Sequence, residues 1–205
     1  MQLLFLHLRK PKKGRTMKKI LVSFAAVALM ASSSFALTVD TESATAHCIG
    51  KKQNNGTKVD ITINEGKYTF AKNEGSVAEM LNGAKIELDF ANFYSNDKTR
   101  VKNITRTFLA ALKDSKINVE FKDAAGDDAK GTAKAAVSFN GGTQDLECSY
   151  EVVDGKLKVS AVVNMTKDFN LNDAYVAMST DKQIMGLHGK KTWEDVEIYL
   201  SVDVK

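Results

Sequence analysis

Proline is almost absent from this sequence, and the one there is, Pro11, lies close to the start. Nothing after it reads as a proline-rich linker, and no Ser/Gly-rich tract, low-complexity stretch or internal repeat marks a domain boundary. Of the two cysteines and three histidines, none stands in a C-x-x-C or H-x-x-x-H spacing, which leaves a redox pair or a helical zinc site without support. There is no Gly-x-Ser-x-Gly elbow and no phosphate-cradling glycine loop, so each common nucleophile lacks a recognisable partner and the chain does not read as an enzyme. No catalytic residue, metal or cofactor is assigned. The longest apolar run, Ile20 to Met30, has about half the ~20 residues of a membrane-spanning helix.

That short run has another reading. Met17-Lys18-Lys19 forms a cationic start, Ile20 to Met30 an apolar centre, and Ser34-Phe35-Ala36 a small-residue cleavage site, the three parts of a secretory signal peptide. Cleavage is expected before Leu37. Residues 17–36 are thus assigned as the signal peptide, 1–16 as a mis-assigned upstream extension, and 37–205 as one exported domain with no membrane span. The first 36 residues carry seven Lys and Arg and no acid, so of 29 basic and 25 acidic side chains 22 and 25 remain. A small acidic excess of mixed charges offers no basic face for nucleic acid.

The rest of the chain alternates apolar and polar residues with the two-residue period of half-covered strands. Seven stretches show it: Val59 to Ile63, Ala84 to Phe90, Ile117 to Phe121, Ala133 to Phe139, Leu146 to Val152, Leu157 to Met165 and Val196 to Val204. Ala44 to Gly50 makes a weaker first strand, and Tyr68 with Phe70 a short one. Asn55-Gly56, Asn140-Gly141-Gly142 and Asp154-Gly155 supply the positive φ angles of tight hairpins. Eight or nine sequential antiparallel strands suit a closed all-β barrel, which leaves no exposed edge.

One segment breaks the period. Val101, Ile104, Phe108, Leu109 and Leu112 fall on one helical stripe with Lys102, Arg106 and Lys113 largely opposite, which predicts an amphipathic helix set over the barrel mouth or wall. A second helical turn is expected at Leu171 to Met178, capped by Asn170 or Asn172. A barrel of eight strands either fills with side chains or holds one small ligand. Pattern alone favours the filled form. Each methylene withdrawn from water contributes ~0.8 kcal/mol, so a slot for an aliphatic tail needs no charged motif.

The chain resembles the YceI-like family of lipid- or polyisoprenoid-binding periplasmic proteins. The resemblance covers nearly all of residues 37–205: Val39-Asp40-Thr41-Glu42-Ser43 followed by Gly50-Lys51-Lys52, Gly83 to Phe90, and Arg100 to Phe121. Its most specific part is the ordered set Gly131-Thr132, Asp154-Gly155-Lys156-Leu157, Asp168-Phe169-x-Leu171 and Lys191-Thr192-Trp193-Glu194-Asp195-Val196. Two departures stand out: Cys48 occupies a place where an aromatic is common, and Lys113-Asp114-Ser115-Lys116 lacks a proline. The resemblance implies a lipocalin-like barrel enclosing an isoprenoid, fatty amide or fatty acid tail, in the periplasm, with no catalytic residues.

By inward parity and bulk, the expected lining is Ile61, Phe70, Ile86, Leu88, Phe90, Phe108, Leu112, Phe139, Tyr150, Val159 and Val163. Phe169 is expected to plug one barrel end, and Trp193 to anchor the last strand with its N–H on a nearby acceptor. Parity also turns Cys48 and Cys148 inward, where a disulfide closing about 100 residues would stabilise by ~4–5 kcal/mol. Their strands are not neighbours in a simple meander, and buried free cysteine is common, so bonded and free forms both stay open. A homodimer stays open too. The competing functional reading is a packed, ligand-free barrel that serves as a stress-related interaction module.

Overall fold

The computed structural model describes residues 36–205, so the upstream extension and nearly all of the signal peptide lie outside the described residues. Eleven strands and four α-helices follow in the order β1 (Leu37–Lys52), β2 (Thr57–Ile63), β3 (Gly66–Thr69), β4 (Glu74–Gly75), α1 (Val77–Leu81), β5 (Lys85–Asp89), β6 (Phe93–Tyr94), α2 (Lys98–Arg106), β7 (Lys116–Gly126), β8 (Lys130–Phe139), β9 (Gly142–Val153), β10 (Lys156–Asn164), α3 (Asn172–Ser179), α4 (Lys182–His188) and β11 (Asp195–Val204).

Every strand pairing is antiparallel, and the strands run in the order β3-β5-β7-β8-β9-β10-β11-β1-β2-β6, with β4 on the start of β1. The edge strand β3 and β2, next to the short edge strand β6, are joined by Asn64 and Glu65 alone. Two extended residues reach only about 10 Å between the strand ends, so the sheet must curl until its edges approach. The result is a half-barrel, with no β3–β2 ladder among the described residues. Nine of the eleven strands occupy the expected places. The other two, β4 and β6, are two residues long and carry too little pattern to read.

The alternation decides which face is covered. Along β10, Leu157, Val159, Ala161 and Val163 are buried while Val162 faces solvent. Small residues of β8 sit opposite larger ones of β9, Ala133 against Cys148 and Ala135 against Leu146, which interdigitates the wall. The hairpins are fixed by left-handed pairs, Asn140 and Gly141 (φ 50° and 75°) and Asp154 and Gly155 (φ 51° and 72°). Between Asp40 and Thr45, β1 advances five residues while β11 advances two. Ser43 Oγ pins this bulge, accepting from Asp203 N–H at 2.7 Å and donating to the Asp40 carbonyl at 2.7 Å.

The two ends of the half-barrel differ. At one end α1 drives Val77, Met80 and Leu81 to full burial, behind a capping box formed by Ser76 and Glu79. Asp128 accepts from Val77 N–H and Asn82 exchanges two hydrogen bonds with Ala124, which ties α1 to the β7–β8 turn. The opposite end carries α2, α3 and α4. The predicted helix over residues 101–112 forms as α2, ending at Arg106, and the chain then runs through Phe108 into a short 3-10 turn, Leu109–Ala111. Thr107 is the C-cap: its hydroxyl bonds back to the Asn103 carbonyl at 2.7 Å, and its φ of −112° stands away from the helical value. The second helical turn appears as α3, with Leu171 at its N-cap and no capping side chain, so neither Asn170 nor Asn172 caps it.

Arg106 of α2 grips Asp181 at 2.7 and 2.9 Å, and Asp181 also caps α4 by accepting from Ile184 N–H at 3.0 Å. The guanidinium first, and that amide next, hold the Asp181 carboxyl well below the ordinary carboxylate range. A depressed carboxylate contributes stability that is complete above its unfolded value, near 3.9, and is lost as pH falls toward the folded value. Amide protection in α4 is therefore expected to hold from pH 8 to about 5 and to fail in acid. Asp181→Ala should remove that protection at neutral pH, as read by hydrogen exchange.

Candidate functional site

At the α2–α3–α4 end the interior is hollow. A cavity of about 210 Å³ lies between the sheet wall and the helices. Its floor and walls are apolar: Ile61 from β2, Val137 and Phe139 from β8, Val163 from β10, and Val196 and Ile198 from β11. Phe90 and Phe108 close one side, their rings 5.5 Å apart, while Met178 of α3 and Ile184 of α4 close another. An apolar cavity of ~150 Å³ stays dry and admits benzene, so this one has room for roughly eight carbons.

Of the eleven residues expected to line a cavity, Ile61, Phe90, Phe108, Phe139 and Val163 do so. The other six are placed elsewhere. Phe70, Tyr150 and Val159 are buried toward the α1 end, Tyr150 donating to the Asp127 carbonyl at 3.0 Å. Ile86 and Leu88 of β5 are buried beside β3, where a Cβ on Gly66 would come within 2.3 Å of Leu88 Cδ2. Leu112 is half-buried at the exit of the 3-10 turn. Parity tells which side of a sheet a residue faces, but not how far along the barrel it sits.

Phe169 and Trp193 both line the cavity. Phe169 is buried with φ 52°, and its carbonyl accepts from Asn140 Nδ2 at 3.1 Å, so the β8–β9 turn holds it in place. Trp193 donates its ring N–H to the Gln53 carbonyl at 2.9 Å, and Lys51 Nζ lies 5.7 Å from the ring.

The cysteines are unpaired. Cys48 of β1 lines the cavity, and Cys148 of β9 is buried three strands away, with β10 and β11 between. No disulfide joins them, because parity turns both inward without making their strands neighbours. Burial, with Asp60 adding to it, pushes the Cys48 thiol up to about 12, and burial followed by Glu147 pushes Cys148 up to about 11. Neither is a nucleophile near neutral pH, since the thiolate is the reactive form. Two free thiols should titrate in denatured, unreduced protein. In the native state both should alkylate slowly, and a bound amphiphile should slow Cys48 further but not Cys148, as read by mass spectrometry. His47, next to Cys48, faces the other way, its ring stacked on Tyr199 at 4.5 Å with Asp60 at 3.4 Å.

Two polar side chains of α2 face this apolar space, and the sequence reading passed over both. Arg100 lines the cavity, half-buried, with Nη1 donating to Ser95 Oγ at 2.6 Å and Nη2 3.7 Å from the Asp97 carboxylate. Asn103 is 3% exposed, and its Nδ2 has no hydrogen-bond partner. A buried donor left unmade costs about 1–3 kcal/mol. The signal was present: Arg100, Asn103 and Thr107 follow the same helical spacing as the apolar stripe and lie beside it.

No protein-family model and no curated protein matches the sequence. Solved structures do. A polyisoprenoid-binding domain from Saccharophagus degradans aligns over 83% of this chain and 98% of its own at a TM-score of 0.53 and 11% identity. The chain shares that fold. BcnA of Burkholderia cenocepacia aligns over 82% of this chain and 99% of its own, at a TM-score of 0.53 and 13% identity. A Campylobacter jejuni YceI protein aligns over 72% and 84%, at a TM-score of 0.46 and 15% identity. The fold shared with the polyisoprenoid-binding domain agrees with the fold that the resemblance drawn from the sequence implies.

Proposed function

We propose that this chain is an exported, YceI-like carrier that withdraws one amphiphile from water, tail in the cavity and head at the α2 rim. The observation that carries the reading is an apolar hollow of about 210 Å³, left unfilled at one end of a sheet whose other end fully buries Val77, Met80 and Leu81 of α1. The relationship of fold to a polyisoprenoid-binding domain supports the same class of cargo. In this reading residues 17–36 direct export, residues 37–205 act in the periplasm, and the half-barrel works as a closed lipocalin-like barrel, its edges held together through Asn64 and Glu65. Binding is reversible and needs no bond-making chemistry, and isoprenoid, fatty amide and fatty acid tails all meet the lining's demands.

Cavity size sets the test. In a series of straight-chain alcohols, affinity should rise about fourfold per carbon, the equivalent of ~0.8 kcal/mol per methylene, and then level off near eight carbons. Displacement of a fluorescent probe reads this directly. Affinity that ignores chain length, or no uptake at all, would favour the ligand-free interaction module.

A further inference from the structure

The carrier reading leaves the head group open, and the cavity's polar residues narrow it. Three of the lining residues are charged, Lys51, Lys52 and Arg100, and all three are cations. No carboxylate joins them in the lining. Of the surrounding carboxylates, Asp97 caps α2 by accepting from Arg100 N–H at 3.1 Å, Asp181 is held by Arg106, Asp60 faces His47 at 3.4 Å and Glu197 accepts from Lys158 at 2.8 Å. The Arg100 guanidinium therefore faces the apolar space with one short hydrogen bond, to the neutral Ser95 hydroxyl, and a carboxylate that stands off at 3.7 Å.

Asn103 adds an independent observation. It lies one helical turn beyond Arg100 on the same face, lines the cavity, and is buried with its Nδ2 unpartnered. Its orientation is fixed by Arg106, whose Nη2 donates to Asn103 Oδ1 at 3.4 Å; the flipped amide would set two donors against each other. The cavity is thus lined by a residue whose N–H donor has no acceptor and by a guanidinium whose ion pair with Asp97, at 3.7 Å, is longer than a hydrogen bond. Both are completed by the same chemistry, an oxygen that carries negative charge.

Resting on the carrier reading, we propose that the cargo bears an anionic oxygen head, a carboxylate or a phosphate monoester, held between Arg100 and Asn103 Nδ2 with Lys51 at the rim. An alcohol or amide head supplies an oxygen for Asn103 but adds no counter-charge for the guanidinium beyond the distant Asp97. A cationic head is repelled. The site thereby selects among tails that the apolar wall itself does not tell apart.

Matched ten-carbon ligands test this by calorimetric titration of the full protein: decanoate against decanol and decanamide, and geranyl monophosphate against geraniol. At least one charged ligand should bind tenfold or more tightly than its uncharged twins, and which one does so distinguishes a carboxylate cargo from a phosphate one. Arg100→Gln and Asn103→Leu should each cut that preference below threefold, with circular dichroism and thermal melting of each variant matching the parent, which shows that the variants fold. If the charged ligands bind no better than their twins, the head-group assignment is overturned and the carrier reading stands. If none of the five binds, the carrier reading falls and this inference with it.

Discussion

A phenylalanine at Gly50 is expected to abolish uptake of the amphiphile while leaving the fold as stable as before. Gly50 lies on β1 two residues from Cys48, on the inward face, and lines the cavity. A Cβ built there meets no atom within 4 Å, and its backbone is outside the left-handed region. The ring therefore enters empty space, and it takes up most of it, since ~150 Å³ suffices for benzene. Losing the burial of about five carbons removes roughly 4 kcal/mol, or on the order of a thousandfold in affinity. Replacing a strand glycine adds about 0.5–1 kcal/mol of stability on its own account. Titration and thermal melting of one variant thus separate binding from folding, and unimpaired uptake would show that the cargo sits elsewhere.

Replacing Asn140 with leucine is expected to have the largest effect on stability, a loss of about 4 kcal/mol from a total of about 5–15. Its amide oxygen accepts from Lys113 N–H at 2.6 Å, while Nδ2 donates to the carbonyls of Phe169 at 3.1 Å and Asn170 at 2.9 Å. The residue is 2% exposed, so water cannot replace these bonds. Asn140, Phe169 and Asn170 all have positive φ, between 50° and 53°, and a branched side chain at the first of them adds backbone strain. Close packing adds to this. A Cβ on the neighbouring Gly142 would stand 2.9 Å from Phe169 Cα. Asn140→Asp keeps the acceptor for Lys113 but turns a buried carboxylate oxygen onto the carbonyls of Phe169 and Asn170, so it should cost at least as much. Urea denaturation reads both values, and a loss under about 1 kcal/mol for the leucine variant would remove Asn140 from its place as the brace of the cavity end.

The strands were readable because their period is short and local. Leu157 to Val163 alternate in sequence as they do in the wall, and Asp154-Gly155 marks its turn by chemistry that few other pairs supply. What sequence did not yield is of two kinds. Some signals were present but short: Ser76-x-x-Glu79 ahead of Val77, Met80 and Leu81 spells a capping box and a buried face, and Asp181 ahead of Ile184 spells a cap. These gave α1 and α4, neither of which was expected.

The other kind is non-local. Tyr150 and Phe139 have equal claims to an inward face, yet one packs toward α1 and the other lines the hollow. The difference lies in where each strand crosses the barrel, which depends on pairings such as Tyr150 with Val159 and Phe139 with Ile117. The same limit applies to the cysteines, which share a facing without sharing a neighbourhood. Asn103 was lost for another reason. A polar residue beside an apolar stripe is by default a solvent-facing one, and only burial marks it as an exception.

Native mass spectrometry of the purified protein before and after solvent extraction addresses the central claim most directly. The carrier account predicts an added mass that solvent removes, an extract containing an amphiphile, and recovery of the shifted mass when that extract is returned. A protein that flies at its bare mass, and takes up neither the extract nor an offered isoprenoid or fatty acid, would contradict it.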